Sequence, residues 1–120
     1  MLTIPEAVSV YLFTQATDMR RGFDRLAALV EAFLQRSVLS GGLFVFFSRR
    51  RDRVKILWWD GDGFCLWYKR LEQGTFRVEE REGCEAITGV DLQWLLRGMD
   101  FSRIELREQA KKGIYALPTM

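Results

Sequence analysis

With 120 residues, 48% of them hydrophobic and only two proline, the chain suits a single domain around one core and excludes disordered or collagen-like classes. A net charge of +2 does not by itself announce a nucleic-acid binder, and the absence of histidine removes the commonest general base and metal ligand together. No apolar run approaches the roughly 20 residues of a membrane span, and no basic leader precedes a greasy stretch, so a cytoplasmic protein without a membrane partner is expected.

In chain order, Ala7 to Phe13 is rich in valine and aromatics and predicts a first strand. Thr17 or Asp18 offers an N-cap oxygen for a long amphipathic helix reaching about Leu34. Met19, Phe23, Leu26, Val30, Phe33 and Leu34 recur at helical spacing and predict its buried face. The other face carries Arg20, Arg21, Asp24, Arg25, Glu31 and Gln35, with Arg20–Asp24 attracting and Arg21–Arg25 repelling at i,i+4.

Ser40-Gly41-Gly42 breaks the chain, and Leu43 to Phe47 is a continuous apolar run typical of a central strand. Arg53 to Trp59 and Phe64 to Leu71 then predict an aromatic hairpin around Asp60-Gly61-Asp62-Gly63. A two-residue or a four-residue loop gives the same register, with Trp59 opposite Phe64, Ile56 opposite Trp67 and Arg53 opposite Arg70. Both faces of this ribbon are aromatic and aliphatic, so the sheet is either covered on both sides or presents one side to a partner.

Gly74 leads into a further expected strand, Thr75 to Glu79, at a polar edge, followed by an acidic loop. Thr88-Gly89-Val90-Asp91 has capping-box spacing and opens a short helix through Leu92, Leu95 and Leu96 to Gly98. One more short helix is expected around Ile104 to Lys111. The order of elements predicts a single α+β domain over residues 1–120. Its sheet is expected to be mainly antiparallel, of four to five strands, with one long helix and one or two short C-terminal ones.

Charge distribution says more than net charge. Residues 49–55 hold five basic residues and one acid, whereas Glu79 to Glu85 hold four glutamates and one arginine. Arg49, Arg50, Arg51, Arg53, Lys55, Lys69 and Arg70 crowd the open end of the hairpin. They read either as solubilising charges beside greasy strands or as phosphate contacts, with Arg20, Arg21 and Arg25 as an extension. Like charges at Arg53 and Arg70 destabilise a sheet unless something relieves them, which favours the second reading. Trp58, Trp59 and Trp67 are candidate stacking platforms for bases, although most hairpin aromatics pack into a core.

No catalytic, metal-binding or cofactor-binding residues are expected. Asp60 and Asp62 are what a tight turn demands. Cys65 has no histidine to activate it, Cys84 sits among acids that disfavour a thiolate, and no Gly-Lys-Ser/Thr phosphate loop exists.

Four segments together resemble a known family: Asp18 through Asp24, Leu26 through Val30, Ser40 through Phe46, and the hairpin from Asp52 through Arg70, above all Lys55-Ile56-Leu57-Trp58-Trp59-Asp60-Gly61-Asp62-Gly63-Phe64-Cys65-Leu66. With Leu92 through Asp100 they are similar to the small TnpB (Orf2-like) accessory proteins of insertion-sequence family sixty-six, over about residues 8 to 102. The resemblance implies a non-catalytic protein that assists a separate transposase in DNA transposition. It transfers no catalytic residues. The expected partner is the DNA of the transposon ends, bound by the basic hairpin patch. The alternative is a protein-interaction module that binds the transposase or a second copy of the chain through an aromatic sheet face or an open edge strand.

Overall fold

A computed structural model of the protein describes residues 3–98. Five strands and two helices follow one another as β1 (Ser9–Phe13), α1 (Phe23–Leu34), β2 (Leu43–Phe47), β3 (Arg53–Trp59), β4 (Phe64–Arg70), β5 (Cys84–Thr88) and α2 (Gly89–Leu96), with a 3-10 turn at Val38–Ser40 before β2. The strands form one sheet in the order β4-β3-β2-β1-β5.

The sheet is mainly antiparallel, as expected, but mixed and not purely antiparallel. β1 and β2 run parallel, with Val10 beside Leu43 and Phe13 beside Phe46, while every other neighbouring pair is antiparallel. The cause is the strand–helix–strand connection: a helix between two strands carries the chain back to the starting end of the sheet, so the second strand enters in the same direction. β2 is buried along its whole length, as its unbroken Leu-Phe-Val-Phe-Phe run requires of a strand covered on both faces.

Two apolar clusters sandwich the sheet. Val10, Leu12, Val45, Phe47, Val54 and Ile56 meet Leu92, Trp94 and Leu95 of α2 on one face. Phe13, Phe44, Phe46 and Leu57 meet Leu26 and Val30 of α1 on the other. Both faces are therefore covered.

The helix α1 is shorter than expected. It begins at Phe23 with Gly22 as its N-cap and no side-chain capping bond, and spans 12 residues. Asp18 does not cap it, because its carboxylate accepts hydrogen bonds from the backbone N–H and guanidinium of Arg20 instead. Arg20 and Arg21 therefore precede the helix, and the expected Arg20–Asp24 pair is replaced by Arg20–Asp18 at 2.7 Å. Phe23 and Phe33, both expected on the buried face, stand exposed.

The segment from Thr75 to Glu79 is not a strand. Its alternation has another origin: Phe76 and Val78 turn into the α2-side cluster, with Phe76 packing 5.9 Å from Phe47, ring centre to ring centre. The fifth strand is instead Cys84–Thr88, in the stretch expected to be an acidic loop. The capping box at α2 forms as expected, with Thr88 accepting from the Asp91 N–H and Asp91 accepting from the Thr88 N–H. The further helix expected around Ile104 to Lys111 lies outside the described residues.

Candidate nucleic-acid interface

The β3–β4 hairpin has the expected register throughout, from Arg53 opposite Arg70 to Trp59 opposite Phe64. Its turn closes through the Asp60 N–H donating to the Gly63 carbonyl at 2.9 Å. Gly61 sits at φ 86°, the left-handed position that the first residue of such a turn requires. Asp60 and Asp62 are exposed turn residues, and no cluster of three or more metal-ligating side chains occurs among the described residues.

The topology gathers one end of the sheet. β1 and β2 end there, β3 starts there, β4 ends there and β5 starts there, because Phe13 pairs with Cys84 and Phe46, and Arg53 with Arg70. The loops at that end are Thr14–Gly22, Ser48–Asp52, Leu71 onward, and the stretch before Cys84. They bring together nine of the ten candidate cations; Arg25 stands apart, on the exposed side of the first turn of α1.

Two of the nine are used internally. The Lys55 ammonium, only 7% exposed as a residue, donates to the carbonyls of Met19 at 2.6 Å and Arg21 at 2.8 Å and lies 4.9 Å from the Tyr68 ring centre. Burial pushes its pKa down. Lys55 thereby pins the Met19–Arg21 segment onto the hairpin, and sets Arg20 and Arg21 beside it. Arg51 adopts a left-handed φ of 62° at the β2–β3 turn. Its guanidinium donates to the Thr14 carbonyl, lies over the Phe47 ring and pairs with Glu80 at 3.6 Å. Burial lowers its pKa, although Glu80 opposes the shift.

Other charges are partly neutralised. Arg70 pairs with Glu72 at 2.9 Å, which raises its pKa, and Arg20 pairs with Asp18, whose carboxyl the Arg20 hydrogen bonds hold well below the usual range. The acidic stretch does reach the basic margin, through Glu80 on Arg51, while Glu79 pairs with Arg81. Arg21, Arg49, Arg50, Arg53 and Lys69 make no ion pair among the described residues. Arg49 and Arg50 are fully outward at the tip of the β2–β3 turn. That turn is rigid: the Arg51 N–H donates to Ser48, Ser48 Oγ donates to Asp52, and the Arg51 carbonyl accepts from Phe76 at 2.7 Å.

Lys69 projects from the opposite face of β4 to Arg70, as alternation in a strand dictates. The three hairpin tryptophans are half-buried: Trp58 and Trp67 pack against the α2-side cluster and Trp59 against the α1-side cluster, edge-on to Phe64. The exposed rings beside the hairpin are Tyr68, 49% accessible and within 3.5 Å of Arg53 through its hydroxyl, and Phe23, stacked on Phe64. Sequence reasoning missed both; the parity of Tyr68 with Arg53 and Arg70 was the available signal. Cys65 and Cys84 lie on strands at opposite edges of the sheet and are free thiols. Burial, aided by Glu85, pushes Cys84 up to about 11.

No helix among the described residues is long and apolar enough to cross a membrane. The chain is 42% identical over 102 residues to the Sinorhizobium fredii protein y4hO, covering 84% of this chain and 89% of that one. It is 32% identical over 106 residues to y4jC of the same organism, covering 88% and 91%. Both are described only as uncharacterized. No solved structure matches. The family model for IS66 Orf2-like proteins, TnpB, matches residues 8–106, and the chain belongs to that transposition-associated family of insertion-sequence accessory proteins.

Proposed function

We propose that the protein is a non-catalytic accessory factor that holds DNA during transposition, through phosphate contacts from Arg49, Arg50, Arg53, Arg21 and Lys69. The observation that carries this reading is the sorting of cations at one end of the sheet. Arg51 and Lys55 are spent on fixing the loops, and Arg20 and Arg70 pair with carboxylates. Arg21, Arg49, Arg50, Arg53 and Lys69 are left without an ion pair among the described residues, Arg21 acting on Asp18 only through its field. An anchored backbone removes that part of the ordering cost when a phosphate arrives, leaving about 0.5–1.5 kcal/mol for each side chain immobilised.

Phosphate contacts position a protein on DNA without reading sequence, so modest sequence preference is expected. Neutralising about five phosphates implies a log–log salt slope of roughly −4 to −5. Fluorescence anisotropy with a duplex carrying the element end, titrated over a range of salt, measures this slope. A slope near zero removes the reading.

A further inference from the structure

The geometry points to β4 as a self-pairing edge: two copies of the chain join their sheets, β4 against β4, in antiparallel register about Leu66. This inference does not rest on DNA binding. Among the described residues β4 ends the sheet, and its outer side has no strand neighbour. The hydrogen-bonded pairs of the hairpin are fixed by its two ends, where the Asp60 N–H donates to Gly63 and the Leu71 N–H donates to Asp52. Such pairs alternate along an antiparallel ladder. Cys65, Trp67 and Lys69 therefore spend their backbone groups on β3, while Phe64, Leu66, Tyr68 and Arg70 point theirs outward.

Those outward groups pair whenever even-numbered residues face even-numbered ones, which a second β4 satisfies in registers centred on Cys65, Leu66 or Trp67, and the side chains single out the Leu66 centre. In this register Tyr68 of each copy lies opposite Phe64 of the other, and Arg70 lies opposite Asp62. The charge pattern is self-complementary: the strand leaves its turn at an aspartate and ends in Lys69-Arg70. Shifting the centre to Trp67 loses this match and brings Asp62 opposite Glu72. The aromatic pattern agrees. Phe23 and Tyr68 are two of only four large hydrophobic residues exposed among the described residues, and Phe23 stacks on Phe64. In the joined sheet, Tyr68 of one copy meets the Phe64–Phe23 stack of the other, on the same face. The occupant is thus a second copy of this chain, and an unrelated strand would have to reproduce both the charges and the parity.

The test is sedimentation equilibrium of the full chain without DNA, at concentrations up to the submillimolar range. The wild type is expected at twice its 14.0 kDa mass, with Asp62→Arg and Arg70→Asp each monomeric and the Asp62→Arg/Arg70→Asp double variant dimeric again. Amide exchange supplies a second measurement. The Leu66 and Tyr68 N–H groups should be protected in the wild type and exchange quickly in Asp62→Arg, whose folding is checked by circular dichroism. A monomeric wild type, a dimer indifferent to both single changes, or a failure of the double variant to recover overturns the inference.

Discussion

Arg53 and Arg70 face each other directly across the β3–β4 ladder, in a non-hydrogen-bonded pair where side chains approach most closely. Glu72 offsets Arg70 at 2.9 Å, whereas Arg53 has only the Tyr68 hydroxyl at 3.5 Å. Sheets do not gain stability from such a pair. Replacing Arg53 by threonine should therefore raise stability, by about 0.2–1 kcal/mol, while weakening DNA binding. Urea denaturation and anisotropy on the same variant check the two halves, and a loss in both would make Arg53 structural.

Arg51 should behave oppositely to its neighbours. Arg51→Ala removes the guanidinium from Thr14, Glu80 and Phe47, and should cost about 1.5–3 kcal/mol in chemical denaturation, as loss of a hydrogen bond from a charged group does. Arg49→Ala and Arg50→Ala, at exposed positions, should leave the denaturation midpoint nearly unchanged and weaken DNA retention.

Gly89 opens α2 where the N-terminal segment crosses it. A methyl group there would overlap the Pro5 carbonyl oxygen, a backbone atom with no flexible side chain to yield. Gly89→Ala should destabilise the fold by about 1–3 kcal/mol, seen as a lowered thermal midpoint. An unchanged midpoint would mean that the Pro5–Glu6 segment moves aside freely.

Cys84 predicts a pH dependence. Its folded-state pKa of about 11 lies above the ordinary 9.0, so between these values the folded chain holds more protons than the unfolded one. Stability from this group is complete below pH 9 and falls as pH rises toward 11. Denaturation midpoints should decline over that window in the wild type and decline less in Cys84→Ala. Thiol labelling of Cys84 in the folded protein at pH 8 should also be slow.

The hairpin was legible in the sequence because two constraints agree: the turn residues fix the loop, and a period of two then fixes every pair from Trp59–Phe64 to Arg53–Arg70. The α2 cap was legible for the same reason, since Thr88 and Asp91 act through local bonds. What failed depended on distant partners. Asp18 was as good a cap as any until Arg20 claimed its oxygens. Phe76 and Val78 alternate like a strand but face the core from above the sheet. Cys84–Thr88 forms a strand because β1 offers an edge, despite its flanking glutamates. The site divided in the same way. The cations were visible, but only the carbonyls of Thr14, Met19 and Arg21 distinguish the structural Arg51 and Lys55 from the remainder.

The central claim is that cations without carboxylate partners at one end of the sheet hold DNA, and charge reversal tests it most directly. The triple variant Arg49→Glu/Arg50→Glu/Arg53→Glu leaves Arg51 and Lys55 in place, so it should retain the wild-type circular dichroism spectrum. In low salt it should lose element-end DNA in a retention assay by at least about 100-fold, since three lost phosphate contacts at roughly 1 kcal/mol or more each are replaced by repulsion. Folded triple variant that retains DNA like the wild type would contradict the account.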